Sequence, residues 1–377
     1  MFSVTCSQRE LHNAVKLVAR GVSRRSVTPI QNSIMLEVKP GPTGTDHRLY
    51  LTASDLEYIG IATSIDIEYG TEGGVVIPPA ILDETIGKLA TDEVTLTALE
   101  DNTVAIEGGK YKSEVWCLSA DDYETLGRIE NPVHFEMSQA DLLSILRQTL
   151  FAASTDETRP ILTGLLFEIR GSRLTVASTD TYRLCLRKYD FDTEVAEELD
   201  AIISRTVLAE VMRLLKANGK EPVEVSLGDN EVEFTIGDVT LGSRTIEGQF
   251  VNYPKVVPTE YTKKACVDAA AFSGALKRAV PIAKYDANRV VLDFTGDALL
   301  ITAKSHDFGT CEETIEGVEL EGEPLKTALN SRFMEDMLGV CGTDTVDVEM
   351  SEPLNSIVFR PVDDDEYLYV LMPMAVM

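Results

Sequence analysis

"LTVASTD", residues 174–180, alternates like a strand running into a turn, and the pattern occurs twice more: "LYLTASD" from Leu49 and "LLITAKS" from Leu299, at intervals of 125 residues. One such match decides little. The elements around it repeat as well. An amphipathic helix precedes each strand, with apolar residues three or four apart: Leu11, Val15 and Val18; Leu142, Leu146 and Leu150; Phe272, Leu276 and Val280. Ser7, Ser138 and Asp268 stand where N-caps belong. A second short helix follows each strand, with Ile81, Val207 and Phe333 at intervals of 126. Alternating hairpins come next, turning at Asp101-Asn102 and Asp229-Asn230 in the first two copies.

This order predicts an α+β fold of three repeated domains, each with two helices packed on antiparallel sheets. The boundaries fall in "SADDYETLGRIENP" and "NYPKVVPTEYTKK", both rich in proline and charge, and divide the chain into 1–126, 127–258 and 259–377.

With 377 residues, 44% of them hydrophobic, the chain can bury a sizeable interior. No apolar run approaches the roughly 20 residues of a membrane span, and the N-terminus lacks the regions of a signal peptide, so a cytoplasmic protein is expected. Six cysteines and four histidines are scattered singly, without metal-ligand spacing or a local triad. No GK[ST] loop opens a helix, and no paired carboxylates recommend themselves as acid and base. Asp363 to Glu366 reads as an exposed acidic loop. Neither cofactor, metal nor catalytic residue is therefore expected, and an enzyme is the weaker hypothesis. Thr179, Asp180 and Arg183 read by themselves as a turn closed by a local ion pair.

The formal net charge of −28 argues against nucleic acid until its distribution is examined. Over the helix windows 7–25, 79–92, 138–159, 204–220, 268–289 and 330–340 the charges are +4, −2, −1, +3, +2 and −1, a net +5, so the remainder carries −33. Positive charge is concentrated on the helices. Helices lining one common face would present a weakly cationic surface, suited to salt-sensitive contact with DNA of any sequence.

The threefold repeat, "RPILTGLLFE" (159–168), "LTVASTDTYRLCLRK" (174–188), "GQFVNYPKVVP" (248–258) and the terminal "YVLMPMAVM" (369–377) together resemble the bacterial DNA polymerase III beta subunit family, the sliding clamps. The resemblance covers essentially the whole chain. It implies the DNA-clamp fold, a head-to-tail homodimeric ring of six domains around double-stranded DNA, and no membrane association. It also implies a shallow pocket in which a replicative polymerase, a clamp loader and repair proteins dock short linear motifs.

Carried over by position, the pocket takes Leu162, Thr179, Tyr182, Arg183 and Leu184 from the second domain, and Val251, Lys255 and Val256 from the connector. The third domain adds Asn330, Phe333, Leu354 and Ser356, and the tail adds Val370, Leu371, Met372, Pro373 and Met374. For DNA the resemblance marks Arg25, with Arg24, Arg159 and Arg205 behind it. The chain departs from the family's commoner residues at Thr181-Tyr182, at Val251 and in its Ala375-Val376-Met377 ending, which bears on peptide preference. Two other readings are a clamp-like paralogue with altered partners and a three-repeat scaffold that binds no nucleic acid.

Overall fold

The computed structural model describes residues 2–22, 28–42, 44, 46–55, 59–125, 129–192, 195 and 198–375. Six α-helices lie in this part, all inside the expected windows: α1 (Gln8–Val18), α2 (Pro79–Ile86), α3 (Gln139–Thr149), α4 (Arg205–Leu214), α5 (Ala269–Ala283) and α6 (Ser331–Leu338). None is long and apolar enough to cross a membrane.

Ser7 caps α1 by accepting from the Glu10 amide at 3.4 Å, and Asp268 caps α5 by accepting from Ala271 at 2.7 Å. The apolar residues predicted for the first and third helices are buried, Leu150 just past the end of α3, and Leu143 and Ile145 of α3 are buried beside them. α5 differs. Its buried stripe runs Phe272, Leu276, Ala279, Ala283, and Val280 is only half-buried. At about 100° per residue Ala279 and Ala283 fall within about 20° of Phe272 round the helix, whereas Val280 lies about 80° away. α3 stops before its window ends, where the Thr149 hydroxyl donates back to the Ile145 carbonyl at 2.7 Å.

The chain packs as two compact units, Met1–Gln139 with Arg213–Thr245, and Ala140–Met212 with Ile246–Met377. Unit one holds a five-stranded sheet ending at strand Tyr111–Trp116, and a nine-stranded sheet. That larger sheet joins strands of two sequence repeats: Gly60–Asp66 pairs antiparallel with Val239–Arg244, setting Gly60 opposite Gly242 and Ala62 opposite Thr240. Unit two is built alike. Its nine-stranded sheet crosses from the second repeat to the third where Arg183–Asp190 pairs with Tyr367–Leu371, Leu184 opposite Val370 and Leu186 opposite Leu368. A four-stranded sheet in the same unit ends at strand Gly309–Glu316.

The strands that carry the repeated heptapeptide are His47–Ser54, Arg173–Thr179 and Ala298–Ser305. Their apolar alternation fills the cores: Leu49 and Leu51 in unit one, Leu174, Val176, Leu299 and Ile301 in unit two, each wholly buried. α5 and α6 pack in the core of unit two through Phe272, Leu276, Met334 and Met337, against Phe359, Tyr367 and Tyr369 from the sheet.

Candidate partner-peptide pocket

The turn at 180–182 is built by its own side chains. Asp180 Oδ1 accepts from the amides of Tyr182 (2.9 Å) and Arg183 (3.1 Å), while the Thr179 hydroxyl accepts from the Thr181 amide at 3.1 Å and donates to the Arg183 carbonyl at 2.6 Å. Thr181 sits at φ 81°. For a β-branched residue that conformation costs about 1–2 kcal/mol, which the four hydrogen bonds offset. Tyr182 then projects outward, 64% exposed.

Arg183, nearly buried, ties this turn to distant parts of unit two. Its Nε donates to Asp180 at 3.0 Å, Nη1 to Asp336 on α6 at 2.6 Å and Nη2 to the Phe151 carbonyl at 2.8 Å. The guanidinium carbon lies 4.2 Å from the Phe333 ring centroid and 5.3 Å from that of Phe151. It is therefore a strut beneath the site, with each of its three nitrogens bonded to the protein. Asn330 caps α6, accepting from the amides of Arg332 and Phe333, and so fixes where Phe333 stands. The Tyr369 hydroxyl donates to the Phe333 carbonyl at 2.9 Å, and burial holds that phenol well above its ordinary pKa, in its donor form.

The tail closes the other side. The Met372 amide donates to the Tyr182 carbonyl at 2.9 Å, and the Met374 amide to Ala328 at 2.7 Å, covering one edge of the four-stranded sheet. Arg289 donates to the Ala375 carbonyl at 3.2 Å. Pro373 between them has no amide to leave unpaired. Leu184 and Val370 belong to an apolar cluster with Leu166, Leu186, Val358 and Leu368, on which Phe250, Tyr253 and Val257 of the connector pack. Gly248 makes that crossing possible: at φ 132° a Cβ would stand 2.8 Å from Ile161. Tyr253 anchors the connector by a short hydrogen bond from its hydroxyl to Glu168.

The turn, the tail and Phe333 are thus joined by direct contacts. Leu162 and Leu371 are buried beneath them. Val251, Lys255, Val256 and Leu354 are exposed, and Ser356 is half-buried. The loop that bears Leu354 is held by the Thr327 hydroxyl, which donates to the Pro353 carbonyl at 2.9 Å. Asp336, Phe151 and Tyr369 were not singled out by the sequence; their role depends on contacts up to 153 residues apart.

Of the DNA candidates, Arg24 and Arg25 lie outside the described residues. Arg159 is exposed, and Arg205 opens α4 half-buried. Beside Arg159, Asp156 accepts from the Thr158 hydroxyl and amide, which hold its carboxyl below its ordinary pKa and keep it anionic.

Three family profiles match the chain in succession: the DNA polymerase III beta subunit N-terminal domain over 2–127, the central domain over 136–254 and the C-terminal domain over 254–375. The chain belongs to the DNA polymerase III beta subunit family. It is a sliding-clamp protein of DNA replication, with three clamp domains of α+β type. A beta sliding clamp of Staphylococcus aureus is 30% identical over 362 residues, covering 94% of each chain. That of Synechococcus elongatus is 30% identical over 379 residues, covering 98% of each. The solved DNA polymerase sliding clamp from Bacillus subtilis superposes with a TM-score of 0.93 at 26% identity, each chain fully covered.

Proposed function

We propose that two copies of this chain join head to tail in a ring that encircles duplex DNA and tethers the replicative polymerase as its processivity factor. The domains are 1–126, 127–258 and 259–377. The pocket of unit two receives linear motifs of the polymerase, the clamp loader and repair proteins. The subunit works in the cytoplasm and has no catalytic centre of its own.

What supports the pocket is the built turn and the tail hydrogen-bonded to it, with Tyr182 and Met372 exposed there, together with the exposed apolar residues Val251 and Val256 of the connector and Leu354 of the third domain. Methionine and leucine beside a rigid turn suit varied apolar anchors of a peptide. This chain departs from its family at Thr181 and Tyr182 in the turn and at Val251 in the connector, so its peptide preference is its own. Replacing Leu354 by alanine is expected to weaken a polymerase-derived motif peptide about tenfold in a titration, with unfolding unchanged. Unaltered affinity would remove Leu354 from the site.

The homodimer is supported by two bare sheet edges, Tyr111–Trp116 and Gly309–Glu316. The tail covers the edge at Leu325–Asn330, Ile246 bonds to part of the edge at Leu199–Ser204, and Val133–Met137 ends the nine-stranded sheet of unit one. Lys110 and Lys112 flank the first edge, and Glu312, Glu313 and Glu316 line the second. Trp116, 75% exposed, ends one edge, while Phe308 beside the other stacks on Tyr285 with ring centroids 3.9 Å apart. A strand added to each edge by a second copy would bury these aromatics and pair the charges.

Arg25, with Arg24, Arg159 and Arg205, is assigned to DNA contact. A net +5 on the helix windows is too small for a tight grip, so retention must come from closure of the ring. Protein loaded on circular DNA is expected to stay through gel filtration and to leave once the circle is cut. Equal retention on both forms would refute topological tethering.

A further inference from the structure

Between α5 and strand Arg289–Phe294 the chain turns sharply at residues 286–289, where the Arg289 amide donates to the Asp286 carbonyl at 2.9 Å. Ala287 and Asn288 at its centre stand at φ 52° and 58°. Asparagine takes that left-handed region readily but alanine does not, so the turn has to be held by more than its own backbone. Asp286 and Arg289 hold it. Nε donates to one carboxylate oxygen at 2.9 Å and Nη2 to both, at 2.8 and 2.6 Å, which fixes the plane of the guanidinium. Nη1 is thereby aimed at the tail and donates to the Ala375 carbonyl at 3.2 Å. The turn reaches α6 as well. The Asn288 carbonyl accepts from the Ser331 amide at 2.7 Å, and Arg289 stands opposite Asn330, the cap that sets Phe333.

We propose that Arg289 is a positioning residue of the peptide pocket, which pins the tail at Ala375 and so sets where Met372 and Met374 stand. The inference rests on the reading of unit two's pocket as a peptide site. Past its strand, which ends at Leu371, the tail makes two amide bonds, from Met372 to Tyr182 and from Met374 to Ala328, and Pro373 has no amide to add. Without the Arg289 bond, Met374 would make the outermost of the tail's contacts among the described residues, and chain ends open from the outside. Methionine side chains go where that backbone takes them, since their own torsions are soft. A peptide that needs the tail in place then binds in proportion to the fraction of molecules in which it is. Arg289 acts through the tail: each of its guanidinium nitrogens is bonded within the protein, and its side chain is 14% exposed.

The test uses the full chain with carbon-13 labels on its methionine methyl groups, the signals of Met372 and Met374 being assigned through Met372→Leu and Met374→Leu. Arg289→Leu removes every donor and adds no methionine. Its Met374 signal should shift toward that of an exposed, mobile methionine, while those of the buried Met334 and Met337 stay in place. Affinity for a polymerase-derived motif peptide should fall about fivefold, and saturating peptide should return Met374 to its wild-type position. Arg289→Lys keeps the charge but cannot meet the carboxylate twice and the carbonyl at once, so it should fall between. Asp286→Asn frees the guanidinium plane, should shift Met374 less, and gives the reading if Arg289→Leu unfolds. An unmoved Met374 signal would overturn the pin, as would equal shifts at Met334 and Met337, which mark a general loosening. A moved signal with unchanged affinity would overturn the role in the pocket. Wild type that binds no motif peptide would refute the pocket and that role together, and the Met374 signal would still decide the pin.

Discussion

Replacing Trp116 by glutamate is expected to convert the proposed dimer to monomer, raising its dissociation constant by at least about a hundredfold. Trp116 ends a bare strand and is the most exposed large apolar side chain described. An aromatic of this size buries about 150–250 Å2 when covered, and a tryptophan at the centre of an interface is commonly worth about 2 kcal/mol or more. Glutamate removes that contribution and sets a carboxylate toward an edge already carrying Glu312, Glu313 and Glu316. Repulsion and desolvation then act in the same direction. Phenylalanine at 116 keeps most of the apolar surface and should leave the dimer largely intact. The chain has one tryptophan, so its fluorescence reports this place alone. Emission should shift to the red on dilution through the dissociation constant, and Phe308→Ala should weaken the dimer in step. A dimeric mass for the glutamate variant in sedimentation would remove Trp116 from the interface. A monomeric variant that still stayed on circular DNA would remove the ring.

Much of this architecture was legible because it is local and triplicated. Helix periodicity and caps depend on neighbours within a turn, so Leu11, Val15 and Val18 could be assigned to a buried face by spacing alone. The shift in α5 marks the limit: an alanine-rich helix offers two adjacent stripes, and packing decides between Ala279 and Val280. The seams were not legible. Which strand pairs Gly60–Asp66 is settled by Val239–Arg244, far along the chain, through main-chain bonds that carry no residue-type signal. Strand Tyr111–Trp116 shows the same limit, since its letters do not reveal that it ends its sheet among the described residues. For the proposed pocket, the resemblance supplied the candidate residues. The local pair of Asp180 and Arg183 was legible as a turn, whereas the tie from Arg183 to Asp336 emerged only from the folded contacts.

Arg183→Met is expected to destabilise unit two by about 3 kcal/mol, because one guanidinium satisfies two carboxylates and a carbonyl that the variant leaves without it. Asp180 is 16% exposed in its side chain and Asp336 34%, so water can recover part of the loss at Asp336 but little at Asp180. The apolar replacement fills similar volume between Phe151 and Phe333, which isolates the electrostatic loss from a packing defect. Lysine should fail almost as badly: a single ammonium cannot reach Asp180, Asp336 and the Phe151 carbonyl in the planar arrangement the arginine holds. Asp180 would keep its bonds to the amides of Tyr182 and Arg183, so the turn should survive while its tie to α6 is lost. The measurement is amide exchange along strands Arg183–Asp190 and Tyr367–Leu371, which should quicken about a hundredfold at constant pH. Motif-peptide affinity should fall with it although Arg183 is turned to contacts within the protein, and Asp336→Asn should reproduce part of both effects. Exchange unchanged within about threefold would show that the three contacts contribute little. Undiminished peptide affinity with fast exchange would show that the pocket does not need its strut.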